Sequence, residues 1–205
     1  MELIQLLNID RRQGPPTEFH PWHLLAAFYT FCQSTTPIGR YHLGPELGLG
    51  GGSIRSLIRF LRKQGLIEPV QRQGHHLSKE GHHYCAILNR ILVKIVELPE
   101  SSYTIDLCNF GCHLQQCAQF VTDGVQQRDA AMHAGASGAT TFIQDSDPDA
   151  LIMVKDHRVP KIQLKNTLEC FNIKDGDVLI IGTGPTKISA KLGTFAAILT
   201  LLEKE

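Results

Sequence analysis

Residues 53–63, SIRSLIRFLRK, place Arg55, Ser56, Arg59, Arg62 and Lys63 within nine positions. At about 100° per residue on a helix, Ser56, Arg59 and Lys63 project from one face, flanked by Arg55 and Arg62. Cations in such a row neutralise phosphates, and an arginine fork also addresses guanine edges. The expected partner is double-stranded DNA. Ser53 has the character of an N-cap for this helix, close to the same ligand, and Phe60 falls partly on the outward side. Arg72 and His75, at the tip of a following hairpin, are expected at the DNA backbone or minor groove. The competing reading is a solvated helix face, as most charge runs are.

A second set lies further on. Leu114, Cys117, Ala118, Val121, Val125 and Met132 read as the apolar stripe of a long helix, with Arg128 inside it. A buried guanidinium must be paired. Either Asp106, Asp123 or Asp129 supplies the partner, or an anionic ligand does, held in the bidentate geometry arginine favours. Thr140 and Thr141 offer hydroxyls to the same anion. Gly182 and Gly184 follow an apolar strand, with Lys187 at the start of the next helix, where backbone N–H groups seat anions. The spacing is GxGxxK, so neither a P-loop nor GxGxxG is present, and a plain turn is the competing reading. Cys108, Cys112, His113 and Cys117 offer soft metal ligands near one another. They lack CxxC knuckles, and Cys117 falls on the apolar stripe, so no metal and no cofactor is expected. GxSxG and HExxH are absent and no nucleophile–base spacing is recognisable, so the chain is not expected to be an enzyme.

Elements must position these residues. Pro21–Gln33 carries apolar residues at helical spacing (24, 25, 28, 31), and a short helix is expected around Gly44–Leu47. Glycines at 48, 50, 51 and 52 permit a tight turn into the basic helix, whose buried stripe is Ile54, Leu57, Ile58 and Leu61 and whose end is marked by Gly65. LIEPV and HLS read as two short strands around Gly74, and SKEGHHYCAILNRIL as a further helix with Tyr84, Ile87, Leu88 and Ile91 inward. That order is a winged helix-turn-helix, which presents its second helix to a major groove. A linker is expected at Ile91–Glu100. Beyond it come a strand (Tyr103–Phe110), a long helix (Cys112–Ala134), strands at Thr140–Gln144 and Leu151–Val154, a helix (Gln163–Phe171), a strand (Val178–Gly182) and a helix (Ile188–Glu203). The expected fold is therefore α+β: a winged helix in residues 1–92 and a ferredoxin-like βαββαβ sandwich in residues 93–205.

GPPTEFHPWHLLAAF, GRYHLGPELGLGGGSIRSLIRFLRKQGLIEPV, GHHLSKEG and QQRDAAMHAGASGATT together resemble an archaeal family. Its members join an N-terminal winged helix to a C-terminal domain of uncharacterised function. The resemblance runs from Gly14 to Leu202 and implies a transcriptional regulator. QRDAA and AGASGATT are its more particular segments and imply no known chemistry.

The charge agrees with two halves that meet different partners. Up to Leu92 there are ten Lys and Arg against six Asp and Glu, a balance of +4; from Val93 there are ten against fourteen, a balance of −4. The basic half suits a polyanion. Six cysteines in a 205-residue chain with ordinary core composition are expected as thiols. No apolar run reaches the roughly 20 residues of a membrane span, and MELIQLLNIDRRQG lacks the features of a signal peptide, so the expected location is cytoplasmic. The reading is a homodimeric DNA-binding transcriptional regulator whose second domain senses a small anionic effector or mediates association. Its alternatives are a metabolic enzyme or anion-binding protein with an accessory winged helix, and a winged-helix module for protein interaction.

Overall fold

Four helices precede any strand in the computed structural model, which describes residues 2–7, 18–153 and 157–204. The chain divides into two units, Met1–Leu88 and Asn89–Glu205. Gly14–Thr17, where the family resemblance begins, and Val154, the expected end of a strand, lie outside the described residues. No helix among the described residues is long and apolar enough to cross a membrane, and all six cysteines are thiols.

The first unit opens with α1 (Glu2–Leu7), α2 (Pro21–Gln33), α3 (Arg40–Leu47) and α4 (Gly51–Lys63). Pro21 begins α2, where a missing N–H costs nothing, and Leu24, Leu25, Phe28 and Phe31 are its buried side. Its third helical residue is His23, whose Nδ1 accepts the backbone N–H of His20 at 3.0 Å. This is the reciprocal half of a capping box, with an imidazole in place of the usual glutamate. The bond needs an unprotonated Nδ1. Burial, helped by the neighbouring His20, pushes the His23 pKa down to about 4.

The sign of the pH effect follows. Below the unfolded value of about 6.5 the unfolded chain takes up a proton that the folded chain refuses, so stability falls as pH drops. The loss levels off near the folded value. We expect roughly 2 kcal/mol to disappear across that window, allowing for partial solvation of the ring. Urea unfolding at stepped pH measures it: His23→Gln, which keeps an acceptor but does not titrate, should show a flatter dependence than the parent.

Of the glycines at 48, 50, 51 and 52, Gly48 alone has a positive φ, 63°, and it closes α3. Gly50 is extended and caps α4, which begins at Gly51. Ile54, Leu57, Ile58 and Leu61 are buried as their spacing requires, and Gly65 follows the helix at φ +72°. Two expectations fail here. Ser53 does not cap α4; it lies inside the first turn, buried, and its hydroxyl donates to the Glu18 carboxylate. Phe60 is not outward: it is buried, with its ring edge-to-face with Phe19 at 6.4 Å. The apolar face of α4 is wider than a two-residue stripe.

Strands β1 (Ile67–Val70) and β2 (Gly74–Leu77) form an antiparallel hairpin. Ile38, just before α3, bridges its far side: the Ile38 N–H donates to His75 O at 2.7 Å and the His75 N–H to Ile38 O at 2.9 Å. A Cβ on Gly74 (φ +122°) would sit 2.5 Å from Ile38 O, so only glycine allows this approach. Helix α5 (Lys79–Ile91) follows.

The second unit is built on one six-stranded sheet. Its elements are β3 (Leu92–Leu98), β4 (Cys108–Leu114), α6 (Val125–His133), β5 (Gly138–Ile143), β6 (Ala150–Met153), β7 (His157–Pro160), α7 (Lys165–Leu168), β8 (Val178–Gly184) and α8 (Lys187–Leu202). The order is β3-β4-β8-β5-β6-β7, and every neighbouring pair is antiparallel. α8 packs on β8 and β4, with α6 against it. A core of Leu98, Phe142, Leu151, Val159, Leu164, Leu179 and Ile181 covers the other face.

This corrects the ferredoxin-like expectation. Six strands replace four, and β8 inserts between β4 and β5 instead of lying at an edge. The expected linker is β3, and the strand foreseen at Tyr103–Phe110 is displaced to β4. The foreseen helix Cys112–Ala134 does not exist as such. Its first residues alternate across β4, Gln116 takes a φ of +53° and Gly124 one of +73°, leaving a helix of nine residues.

Candidate nucleic-acid interface

Arg55, Ser56, Arg59, Arg62 and Lys63 are all exposed on the outer side of α4. Three of them line a groove of about 530 Å³ in the first unit: Arg55, Arg59 and Arg62. Across it stand Arg40 and Tyr41 from the start of α3, and Arg72, Gln73 and His75 from the hairpin. The Ile38–His75 bridge brings these walls together, because it ties the segment entering α3 to β2. Five guanidinium groups thus share one groove, and none of the residues lining it is acidic.

Local bonds set individual side chains. Arg55 Nε donates to Gly51 O at 3.0 Å, which holds it along the first turn of α4. Arg40 Nη2 donates to Tyr41 Oη at 3.0 Å, and its Cζ lies 4.8 Å from the Tyr41 ring centroid, a cation–π distance. The hydrogen bond and charge of Arg40 lower the phenol pKa, and Tyr41 is 82% exposed. His75 is held below the ordinary imidazole value by burial and then by the Arg62 charge, and its Nδ1 is buried without a hydrogen-bond partner. Arg72 sits at φ +56° in the hairpin turn and is exposed.

The sequence located Arg55, Arg59, Arg62, Arg72 and His75 but missed Arg40, Tyr41 and Gln73. No periodicity links those three to α4; their signal is tertiary. Ser56 and Lys63 are exposed but lie outside the groove lining, and Ser53 is turned into the core.

The second expected set does not assemble. Arg128 is 54% exposed and pairs with Asp129 at 2.8 Å, because α6 buries Gln127 and Ala131 and turns Arg128 to solvent. Thr140 and Thr141 are successive residues of β5 and face opposite sides of the sheet; Thr140 Oγ1 donates to Tyr103 O at 2.9 Å, while Thr141 is buried. Gly182 and Gly184 make room for α8: a Cβ on Gly182 would lie 2.2 Å from Thr194 Oγ1, and one on Gly184 2.6 Å from Ser189 Oγ. Lys187 is engaged by Glu97 at 2.8 Å, which raises its pKa. The start of α8 is satisfied by its own residues, Thr186 Oγ1 accepting the Ser189 N–H at 3.1 Å. The soft-ligand set is also dispersed. Strand alternation sends Cys112 and His113 to opposite faces of β4, and among the described residues no three His, Cys, Asp or Glu gather around a point.

No curated protein matches the chain. A solved structure, hypothetical protein PH0730 from Pyrococcus horikoshii OT3, shares the fold with a TM-score of 0.74 at 21% identity, over 92% of this chain and 95% of that one. In sequence, residues 26–83 match the family described as PH0730-like, N-terminal domain, and residues 105–201 match a domain of unknown function (DUF4443).

Proposed function

We propose that the chain is a DNA-binding transcriptional regulator, with the first unit acting as a winged helix-turn-helix. In this reading α4 is the recognition helix, α2 and α3 support it, and β1–β2 is the wing. The observation that carries the reading is the groove in which Arg40, Arg55, Arg59, Arg62 and Arg72 converge without an acidic neighbour in the lining. Like charges so gathered repel one another, and a polyanion relieves that repulsion while releasing its own counterions. Arg59 and Lys63 point outward along α4, placed to reach base edges and phosphates, and Arg72 at the hairpin tip reaches the backbone beside them.

Two copies multiply the modest affinity of one such unit, so the chain is proposed to bind as a homodimer on half-sites roughly 34–36 Å apart. The second unit then serves association and the sensing of a small anion. Selection of bound sequences from random duplex DNA tests the proposal. An enriched motif, repeated at the half-site spacing, is the expected result; a bound pool with no enrichment contradicts sequence-specific regulation.

A further inference from the structure

We propose that the second unit binds a small organic carboxylate in a cleft that the sequence did not reveal, lined by Val93 and Lys94 of β3, His113 of β4, and Phe171, Lys174 and Asp177. The cleft holds about 330 Å³, at the small end of the range of ligand pockets, roughly 300–1,000 Å³. This deepens the sensing half of the proposed regulator and rests on that reading only for its biological use.

The floor of the cleft is a buried pair. His113 Nε2 lies 2.8 Å from Asp177 Oδ2, with His113 5% and Asp177 1% exposed. The Asp177 carboxylate also accepts the backbone N–H of Gln116 at 3.0 Å and that of Lys174 at 2.9 Å. A carboxylate that accepts from three sides fixes the ring opposite it, with Nε2 carrying the hydrogen toward Asp177. The ring edge is further set by Phe171, 6.4 Å away at 84°. The other ring nitrogen, Nδ1, has no hydrogen bond among the described residues. A nearly buried imidazole with one nitrogen committed and the other open is a positioned contact for a ligand.

The rim supplies charge and the wall supplies apolar surface. Lys94 and Lys174 are exposed at the cleft; Lys94 Nζ donates to the Cys170 carbonyl at 3.2 Å. Neither lysine has a carboxylate partner among the described residues, whereas Lys187 and Arg158 of the same unit do. The one carboxylate in the lining is already occupied by its three donors. A negative group therefore meets two ammonium groups at the rim that no carboxylate neutralises, while Phe171 and Val93 accept an apolar body. Cys170 also lines the cleft, but among the described residues no hydrogen bond joins its thiol to His113, so the geometry is that of binding and not of a thiol nucleophile activated by a base.

The test uses the full chain and three probes: benzoate, benzyl alcohol as its uncharged counterpart, and inorganic phosphate. Binding is read from the His113 imidazole resonances by NMR and from the melting temperature. Benzoate should saturate and move the His113 signals, benzyl alcohol should not, and phosphate should bind more weakly because it leaves the Phe171 wall empty. The double variant Lys94→Gln/Lys174→Gln, both exposed positions, should melt with the parent when no probe is present and bind benzoate about tenfold more weakly or worse. The proposal is overturned if benzoate at tens of millimolar leaves His113 unmoved, if the alcohol or phosphate binds as well as benzoate, or if the double variant binds like the parent. Duplex binding by the first unit is read separately and survives such a failure.

Discussion

The quadruple variant Arg55→Gln/Arg59→Gln/Arg62→Gln/Arg72→Gln should lose duplex affinity by about a thousandfold near physiological salt while unfolding at the parent's midpoint. Each arginine that meets a phosphate contributes close to one released counterion, and four lost contacts remove a corresponding power of salt from the binding constant. Stability should be spared because all four side chains are exposed, and surface changes away from caps and cores stay within about 0.5 kcal/mol. Arg55 is the one with an intrahelical bond to lose, to Gly51 O, and relief of repulsion among the remaining cations offsets it. Fluorescence anisotropy with a labelled duplex gives the affinity and urea unfolding the stability. Equal affinity in variant and parent would remove α4 and the hairpin from the interface.

Gly182→Ala should destabilise the second unit by about 3 kcal/mol or more, with no ligand in the assay. Gly182 is in the central strand β8, paired with Phe110 of β4 on one side and Ala139 of β5 on the other. The new methyl would meet Thr194 Oγ1 at 2.2 Å, and behind it the backbone of α8, Ala190 O and Thr194 N, both at 2.9 Å. Thr194 is wholly buried and its hydroxyl donates to Ala190 O at 2.9 Å, so it has no open space into which to swing. The helix must lift from the sheet or the strand must shift against two neighbours. A denaturation midpoint unchanged by Gly182→Ala would contradict the close packing of α8 on β8. A merely lowered affinity for an anion, at full stability, would restore the ligand role that the sequence suggested for this glycine.

The difference between the two halves in how well the sequence could be read has a physical cause. Helix α4 is amphipathic and followed by a glycine, so period and terminus agree on its buried stripe and its end, while its start at Gly51 lies two residues before the expected cap at Ser53. The hairpin turns on Gly74, whose need for positive φ is local. Arg40 and Tyr41 escaped because only a two-hydrogen-bond bridge between Ile38 and His75, 37 residues apart in sequence, brings them to the groove. In the second unit, β4 buries residues on both faces, such as Cys112 and His113, so its apolar run carries no alternation and imitates a helix. Carrying that false helix onward set the phase one residue wrong, which put Arg128 where Gln127 belongs. His113 and Asp177 are 64 positions apart, and nothing in either neighbourhood marks them as a pair.

The slope of log binding constant against log salt, measured for the parent chain on a duplex carrying the selected motif, addresses the central claim that a guanidinium-lined groove engages DNA phosphates. Engagement by the five arginines gives a slope near −4 to −5, reduced toward −1 in the quadruple variant. A flat slope in the parent, or the same slope in parent and variant, would contradict it.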